Sequence, residues 1–359
     1  VVVNAAHTRP LPELRRSDEP EFGGKSANLG ELLAAEIPVP PGFAIGANAF
    51  RSFVGASGLD GTIAAALERT RAGDVDALTS AWKAIDEAMR FAPLPESLRD
   101  ELAARYEELA RATGLEEPPV AVRSSALGED SEDASHAGQQ ESFLWVRGVE
   151  HVCDAVRDCW VSLYTPQAIS YRATHAAAGH EAAMGVTVQL MVDAEVSGVL
   201  FTCNPVSGDP SMVAVNASWG LGIGVVGGDV TPDDYLVSKI TGEVVRQTVS
   251  AKHHEYVPDA AGRGTVRIEV PDERRDAPCL GEAELAALVE LGKRIERHYG
   301  SHQDVEWALA RGRTLPESLL VLQARPVTTI RKSAPKLSTS ALSLVLGTFG
   351  APAQTDREA

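Results

Sequence analysis

Gln303-Asp304-Val305-Glu306-Trp307-Ala308-Leu309-Ala310 and, a few residues on, Leu319-Leu320-Val321-Leu322-Gln323-Ala324 read as two strands of a half-buried sheet, with Arg325 just beyond them. Side chains two apart leave a strand on the same side, so Asp304 and Glu306 share one face, and Gln323 and Arg325 share one face of the other strand. Two carboxylates and an amide oxygen on adjacent strands form a hard oxygen set suited to Mg2+ carrying phosphates, and Arg325 adds a cation beside it. For either pair alone, a solvated sheet face remains the simpler explanation. Val305, Trp307, Val321 and Leu322 supply apolar neighbours under both readings.

Working outward, the β texture begins near Met184 and continues through GVTVQLMV, SGVLFTCNP and MVAVNASWG to DYLVSKITGEVVRQTV, a hairpin turning near Thr241 and Gly242. Before it, Gly24–Glu36 carries Leu29, Leu32 and Leu33 on one helical face and is stopped by Pro38, Pro40 and Pro41. Gly61–Arg90 and Pro95–Ala112 have helical spacing and form a helical insert, and Val149–Tyr164 and Leu280–Tyr299 are further helices. Pro118–Ser124 is a short strand. These patterns predict an α+β chain divided into residues 1–185, 186–330 and a tail or linker at 331–359, with a short helix at Ser340–Leu346.

Length and charge narrow the function. The chain has 359 residues, 44% hydrophobic and 23% charged, which is ordinary for a globular protein of about two domains at ~150 residues each. Its 33 basic against 50 acidic residues give a net charge of -17, with no long basic run, so a nucleic-acid backbone would be repelled. The nearly uncharged stretch Met212–Gly228 is broken by glycines and reads as strand and loop, so no membrane segment is expected. No signal-peptide pattern stands at the start, and Cys153, Cys159, Cys203 and Cys279 contain no CxxC pair, which fits a reducing cytoplasm. No HExxH or similar histidine spacing occurs.

The few basic residues stand in telling places. Gly23, Gly24 and Lys25 put a flexible backbone and a cation at a helix start, where unpaired N–H groups favour an anion. A Walker A loop is excluded because Glu19 occupies its first glycine position, and a solvated turn lysine is an equal alternative. Arg123 ends a strand and is followed by Ser124 and Ser125, a donor set for phosphate, or else a partner for Glu129 or Asp130. Gly138 lies in a polar stretch that closes over a phosphate chain or is a surface loop. Gln189, Leu190, Met191 and Val192 end one β run and lead to the next lobe, where backbone groups can meet an adenine or simply form core.

Ten motifs in order carry a resemblance: FGGKSANLGEL (22–32), PVPPGFAI (38–45), AVRSSALGEDS (121–131), ASHAGQQESFLWV (134–146), CWVSLYTPQAISYR (159–172), VTVQLMV (186–192), SGVLFTCNP (197–205), WGLGIGVVGGDVTPDDYLVSK (219–239), DVEWAL (304–309) and LQARPVT (322–328). Over residues 20 to 330 the chain resembles the N-terminal nucleotide-binding part of phosphoenolpyruvate synthase, pyruvate phosphate dikinase, rifampin phosphotransferase and phenylphosphate synthase. The resemblance implies an ATP-grasp fold, two lobes clasping ATP with Mg2+. In that family a phosphoryl or pyrophosphoryl group passes to a histidine on a separate domain.

By matched position the resemblance makes Lys25, Arg123 and Arg325 phosphate-binding and catalytic, and Gly138 part of a phosphate-covering loop. It makes Gln189 to Val192 the adenine hinge, and Glu306, Gln323 and, less directly, Asp304 the metal ligands. Where relatives read GLGE this chain reads Gly220-Leu221-Gly222-Ile223, so an acid near the nucleotide is missing. His136, within the phosphate loop, is not taken as the phosphorylated histidine. Neither the phosphohistidine segment nor the barrel of phosphoenolpyruvate synthase occurs in these residues. The expected acceptor is therefore a histidine on a partner protein, with a small molecule downstream. A kinase acting directly on a small molecule and a non-catalytic nucleotide-binding module are the alternatives.

Overall fold

In the computed structural model, residues 6–70, 74–127, 141–174 and 183–327 are described. In chain order the elements are β1 (Thr8–Pro10), α1 (Glu19–Ala34), β2 (Gly42–Ile45), α2 (Ala47–Ala56), α3 (Asp60–Leu67), α4 (Val75–Phe91), α5 (Glu96–Thr113), β3 (Val120–Ala126) and β4 (Ser142–Val146). There follow α6 (Val149–Val161), α7 (Pro166–Thr174), β5 (Met184–Leu190), β6 (Ala194–Phe201), β7 (Met212–Trp219), α8 (Ile223–Val226), β8 (Asp233–Ser238) and β9 (Val244–Thr248). The hairpin β10 (His254–Pro258) and β11 (Thr265–Glu269), α9 (Asp272–Arg275), α10 (Glu282–Tyr299), β12 (Gln303–Ala310) and β13 (Leu319–Pro326) complete the described chain. Gly138 and the 331–359 tail lie outside the described residues.

Helix and sheet are mixed, an α+β arrangement, and the described strands form two large antiparallel sheets and the separate two-stranded β10–β11 hairpin. The first has the order β1-β2-β5-β3-β4 and the second β13-β12-β6-β7-β8-β9. Because β5 pairs with both β2 and β3, residues 186–190 belong to the first sheet. The division expected at residue 185 therefore falls inside a central strand, and the chain crosses between sheets over Met191–Asp193. Texture alone cannot place that crossing, since β5 and β6 are equally β-rich on either side of it.

Burial follows from where each helix can cover a sheet. The helical insert lays Ile85, Met89, Leu98 and Leu102 with Phe53 and Trp160 over Val120, Val122, Val186 and Val188 of the first sheet. Phe53 and Trp160 stack at 5.4 Å. Leu288 and Ile295 of α10, with Phe22, Leu29 and Leu32 of α1, cover Val213, Val215, Val305, Trp307 and Val321 of the second sheet. Helix α1 packs against β3 and β5 as well, so one helix is shared by both sheets. A third, smaller cluster of Trp145, Val192, Ala194, Leu221 and Ala308 fills the seam between them.

Deep in the second sheet, the Lys252 ammonium donates to Asp233 Oδ1 at 2.6 Å and to the Ser250 carbonyl at 2.8 Å, with both charged side chains wholly buried. Asp233 Oδ2 accepts from the Cys279 N–H at 2.8 Å and from the Tyr235 hydroxyl at 3.3 Å. Burial is the first cause that pushes the Tyr235 hydroxyl and Cys279 thiol up, with the Asp233 charge second.

All four cysteines are free and buried. Burial raises the Cys153 thiol to about 11 and raises the other three as well, so almost no thiolate exists at neutral pH. A thiol-reactive chromophore is expected to label the native protein at well under one thiol per chain and all four on denaturation; fast labelling of the native state would contradict this packing.

Candidate functional site

The site lies where the two sheets face each other. In register, Glu306 stands opposite Gln323, and Asp304 stands opposite Arg325, across β12 and β13. A bulge sets this arrangement: Trp307 pairs with Val321 but Glu306 pairs with Gln323, so Leu322 is an extra residue in β13. Without it, Gln323 and Arg325 would follow Val321 onto the core side of the sheet. The bulge thus turns the amide and the guanidinium onto the face of Asp304 and Glu306.

From the first sheet, Arg123 on β3 reaches across to this face. One guanidinium nitrogen donates to Gln323 Oε1 at 2.7 Å and to Glu306 Oε2 at 3.1 Å, and the other to the Leu322 carbonyl at 3.4 Å. The bulged residue therefore also supplies an acceptor that no side-chain pattern marks. Glu129 and Asp130, the sequence candidates for Arg123, lie outside the described residues. Arg325, whose side chain is 55% exposed, donates through Nε to Asp304 Oδ2 at 2.8 Å. Burial raises the Asp304 carboxyl above the usual range, and Arg325 opposes that rise.

Lys25 sits on α1, which is not a continuous helix. Gly23 has φ 78° and ψ 164°, a conformation open to glycine almost alone, and the helix restarts at Gly24. At the new N-terminus the Ser26 N–H donates to Ser125 Oγ at 3.3 Å, and Ser26 Oγ bonds Thr187 Oγ1 at 2.7 Å. Lys25, 7% exposed, is held beside the end of β3 that carries Arg123. A Cβ on Gly23 would come within 2.2 Å of the Ser125 carbonyl oxygen. Gly23→Ala is expected to cost at least about 1–3 kcal/mol from the backbone conformation alone, read as a lowered melting temperature. An unchanged melt would show that the kink is not needed.

The crossing segment is more constrained than its sequence suggests. Gln189 is 2% exposed, in the middle of the first sheet between Gly42 and Ala121. The Leu190 N–H donates to Pro41 O at 2.8 Å and the Met191 N–H to Pro119 O at 2.9 Å. Among the described residues no backbone acceptor meets the N–H of Val192 or of Asp193.

Ile223 opens the short α8 and is 38% exposed. Its loop is fixed from two sides, by Ser197 Oγ donating to Gly220 O at 2.6 Å and by the Leu221 N–H donating to Tyr256 O at 2.8 Å. Among the described residues no three His, Cys, Asp or Glu side chains form a metal cluster, and no helix is long and apolar enough to cross a membrane.

Carboxylate and amide oxygens that meet one guanidinium from across the seam and a second on their own sheet suit a polyphosphate ligand with its counter-cation. Comparison with known proteins agrees: the chain belongs to the family of the pyruvate phosphate dikinase AMP/ATP-binding domain, which it matches over residues 19–343. A probable phosphoenolpyruvate synthase of Methanocaldococcus jannaschii is 42% identical over 322 residues, covering 90% of this chain and 27% of the relative. For a probable phosphoenolpyruvate synthase of Methanothermobacter thermautotrophicus the identity is 40% over 339 residues, with 94% and 48% covered. The phosphoenolpyruvate synthase of Aeropyrum pernix is 38% identical over 342 residues, with 89% and 42% covered. This sequence therefore spans between about a quarter and a half of these relatives.

Proposed function

We propose that the two lobes form an ATP-grasp clasp that binds Mg-ATP along the seam and passes a phosphoryl or pyrophosphoryl group to a histidine on a partner protein or domain, as in phosphoenolpyruvate synthase-type enzymes. The observation that carries this reading is the convergence of Arg123 from one sheet on Glu306 and Gln323 of the other. A cation-sized position between one carboxylate and one amide oxygen is what a triphosphate with its metal requires.

The donor set fits Mg2+. Glu306 Oε2 and Gln323 Oε1 already converge on a single positive nitrogen of Arg123, and Asp304 supplies another hard oxygen on the same face. Glu306, Gln323 and Asp304 would hold the ion, which when bound supplies charge neutralisation to the phosphate oxygens. Transfer in line needs positioning and charge more than covalent help. Arg123 and Arg325 present planar donors to phosphate oxygens, and Lys25 adds a point charge from the first lobe. Gly138 would belong to the loop closing over the phosphates. Gln189 to Val192 would flank the adenine, with the Val192 N–H as donor. The protein then hands the group to the histidine carrier and on to a small molecule. Four buried free thiols suit a cytoplasmic setting for this chemistry.

The test uses ATP labelled at both the β and γ phosphates, so that the label follows the group whether ADP or AMP leaves, with the chain alone and with a phosphohistidine-domain protein from the same organism. The expected result is Mg-dependent binding by the chain, and acid-labile label on the partner's histidine with ADP or AMP released only when the partner is present. Label that never reaches a histidine, or a phosphoester formed on a small molecule without any partner, would overturn it.

A further inference from the structure

Trp145 is held in a backbone conformation that costs a bulky residue. Its φ of 58° lies in the left-handed region, where a tryptophan is an outlier. Such strain persists only where the surroundings fix it and is typical of sites that use it. Here the Trp145 carbonyl accepts the Gly264 N–H at 3.2 Å from the tip of the β10–β11 hairpin, pinning the edge of the first sheet to the second lobe. The residue itself is 6% exposed.

What the strain achieves is the indole's placement. Trp145 belongs to the seam cluster with Val192, Ala194, Leu221 and Ala308, and half-buried Met191, Leu320 and Leu322 pack against that cluster. The Val192 N–H meets no backbone acceptor among the described residues, and Leu322 is the bulged residue whose carbonyl meets Arg123. Trp145 also borders an open cavity of about 410 Å³ shared with Ile223, Gly264 and Thr265, within the usual size of a small-molecule pocket. An aromatic side chain, a backbone donor that meets no backbone acceptor and partly exposed apolar groups therefore meet in this cluster, and Asp154 and Asp158 stand on the far wall of the cavity beside Trp145.

We propose that the Trp145 indole is a wall of the slot for the planar base of the nucleotide and sets its preference for a heteroaromatic base over a bare polyphosphate. This rests on the reading that Mg-ATP occupies the seam. Stacking of a base on an aromatic ring is worth about 1–3 kcal/mol, or about 5- to 150-fold in affinity.

The test is calorimetric titration of the full chain and its variants with ATP and with tripolyphosphate, which has the phosphates and no base. Trp145→Asn suits the positive φ but removes an indole from the seam cluster, so its melting temperature is measured alongside; in folded protein it is expected to raise the Kd for ATP about 5- to 150-fold and leave that for tripolyphosphate unchanged. Trp145→Phe keeps a ring and is expected to recover most of the ATP affinity, while losing the part of the ATP-induced tryptophan quench that belongs to Trp145. Equal weakening of both ligands in Trp145→Asn would show a merely structural residue and overturn the proposal, as would an unchanged ATP affinity. A wild-type chain that binds tripolyphosphate or nothing, but not ATP, removes the ATP reading and this one with it; ATP binding indifferent to Trp145 removes this one alone.

Discussion

Arg123→Lys is expected to slow phosphoryl transfer by about two to three orders of magnitude, the usual cost of removing one preorganised donor from a charge-developing transition state. Arg123 uses two guanidinium nitrogens at once, on Gln323, Glu306 and the Leu322 carbonyl, and a lysine ammonium is a single point that cannot reproduce this fork. Because the positive charge is kept, Glu306 is not left facing an uncompensated gap, so the melting temperature should move little. The loss should fall mainly on the turnover rate measured with the histidine-bearing partner, with a smaller change in ATP affinity. A Lys variant transferring at the wild-type rate would show that Arg123 serves only to join the lobes.

Lys252→Met should produce the largest loss of stability among single changes away from the site. It strands Asp233, wholly buried, with two remaining backbone donors and one hydroxyl but no counter-charge. Breaking a buried pair by removing one member costs about 3–5 kcal/mol, which for a domain of this size corresponds to a melting temperature lower by roughly 10 °C. Replacing both partners, Lys252→Met with Asp233→Leu, should recover part of that loss, since two apolar groups leave no unpaired charge. Thermal denaturation of the two variants side by side checks this; a single variant as stable as the wild type would mean that water reaches Asp233.

Neither feature was equally visible in the chain. Arg123 stood out because a cation followed by two serines at a strand end is unusual in an acidic protein, yet its partners sit some two hundred residues away in sequence. Lys252 gave no signal at all, because nothing in AKHHEY separates a buried lysine from a solvated one. The helices of the insert were legible from apolar spacing over many turns. The short β1, β2 and the β10–β11 hairpin were not, because a few residues carry too little periodicity to stand apart from loop.

By itself the sequence determined the residue types of the site and the strands that carry them: Asp304 and Glu306 two apart, Gln323 and Arg325 two apart, and Lys25 after a glycine pair. Only the tertiary structure decided how they face. A spacing of two fixes the side chains of one strand relative to each other, but not relative to a neighbouring strand, because register is settled by packing between distant segments. The extra residue at Leu322 is what brings Gln323 opposite Glu306, and Ser125 takes the Ser26 N–H at the helix end beside Lys25. Both depend on contacts between segments far apart in the chain, which no local pattern records.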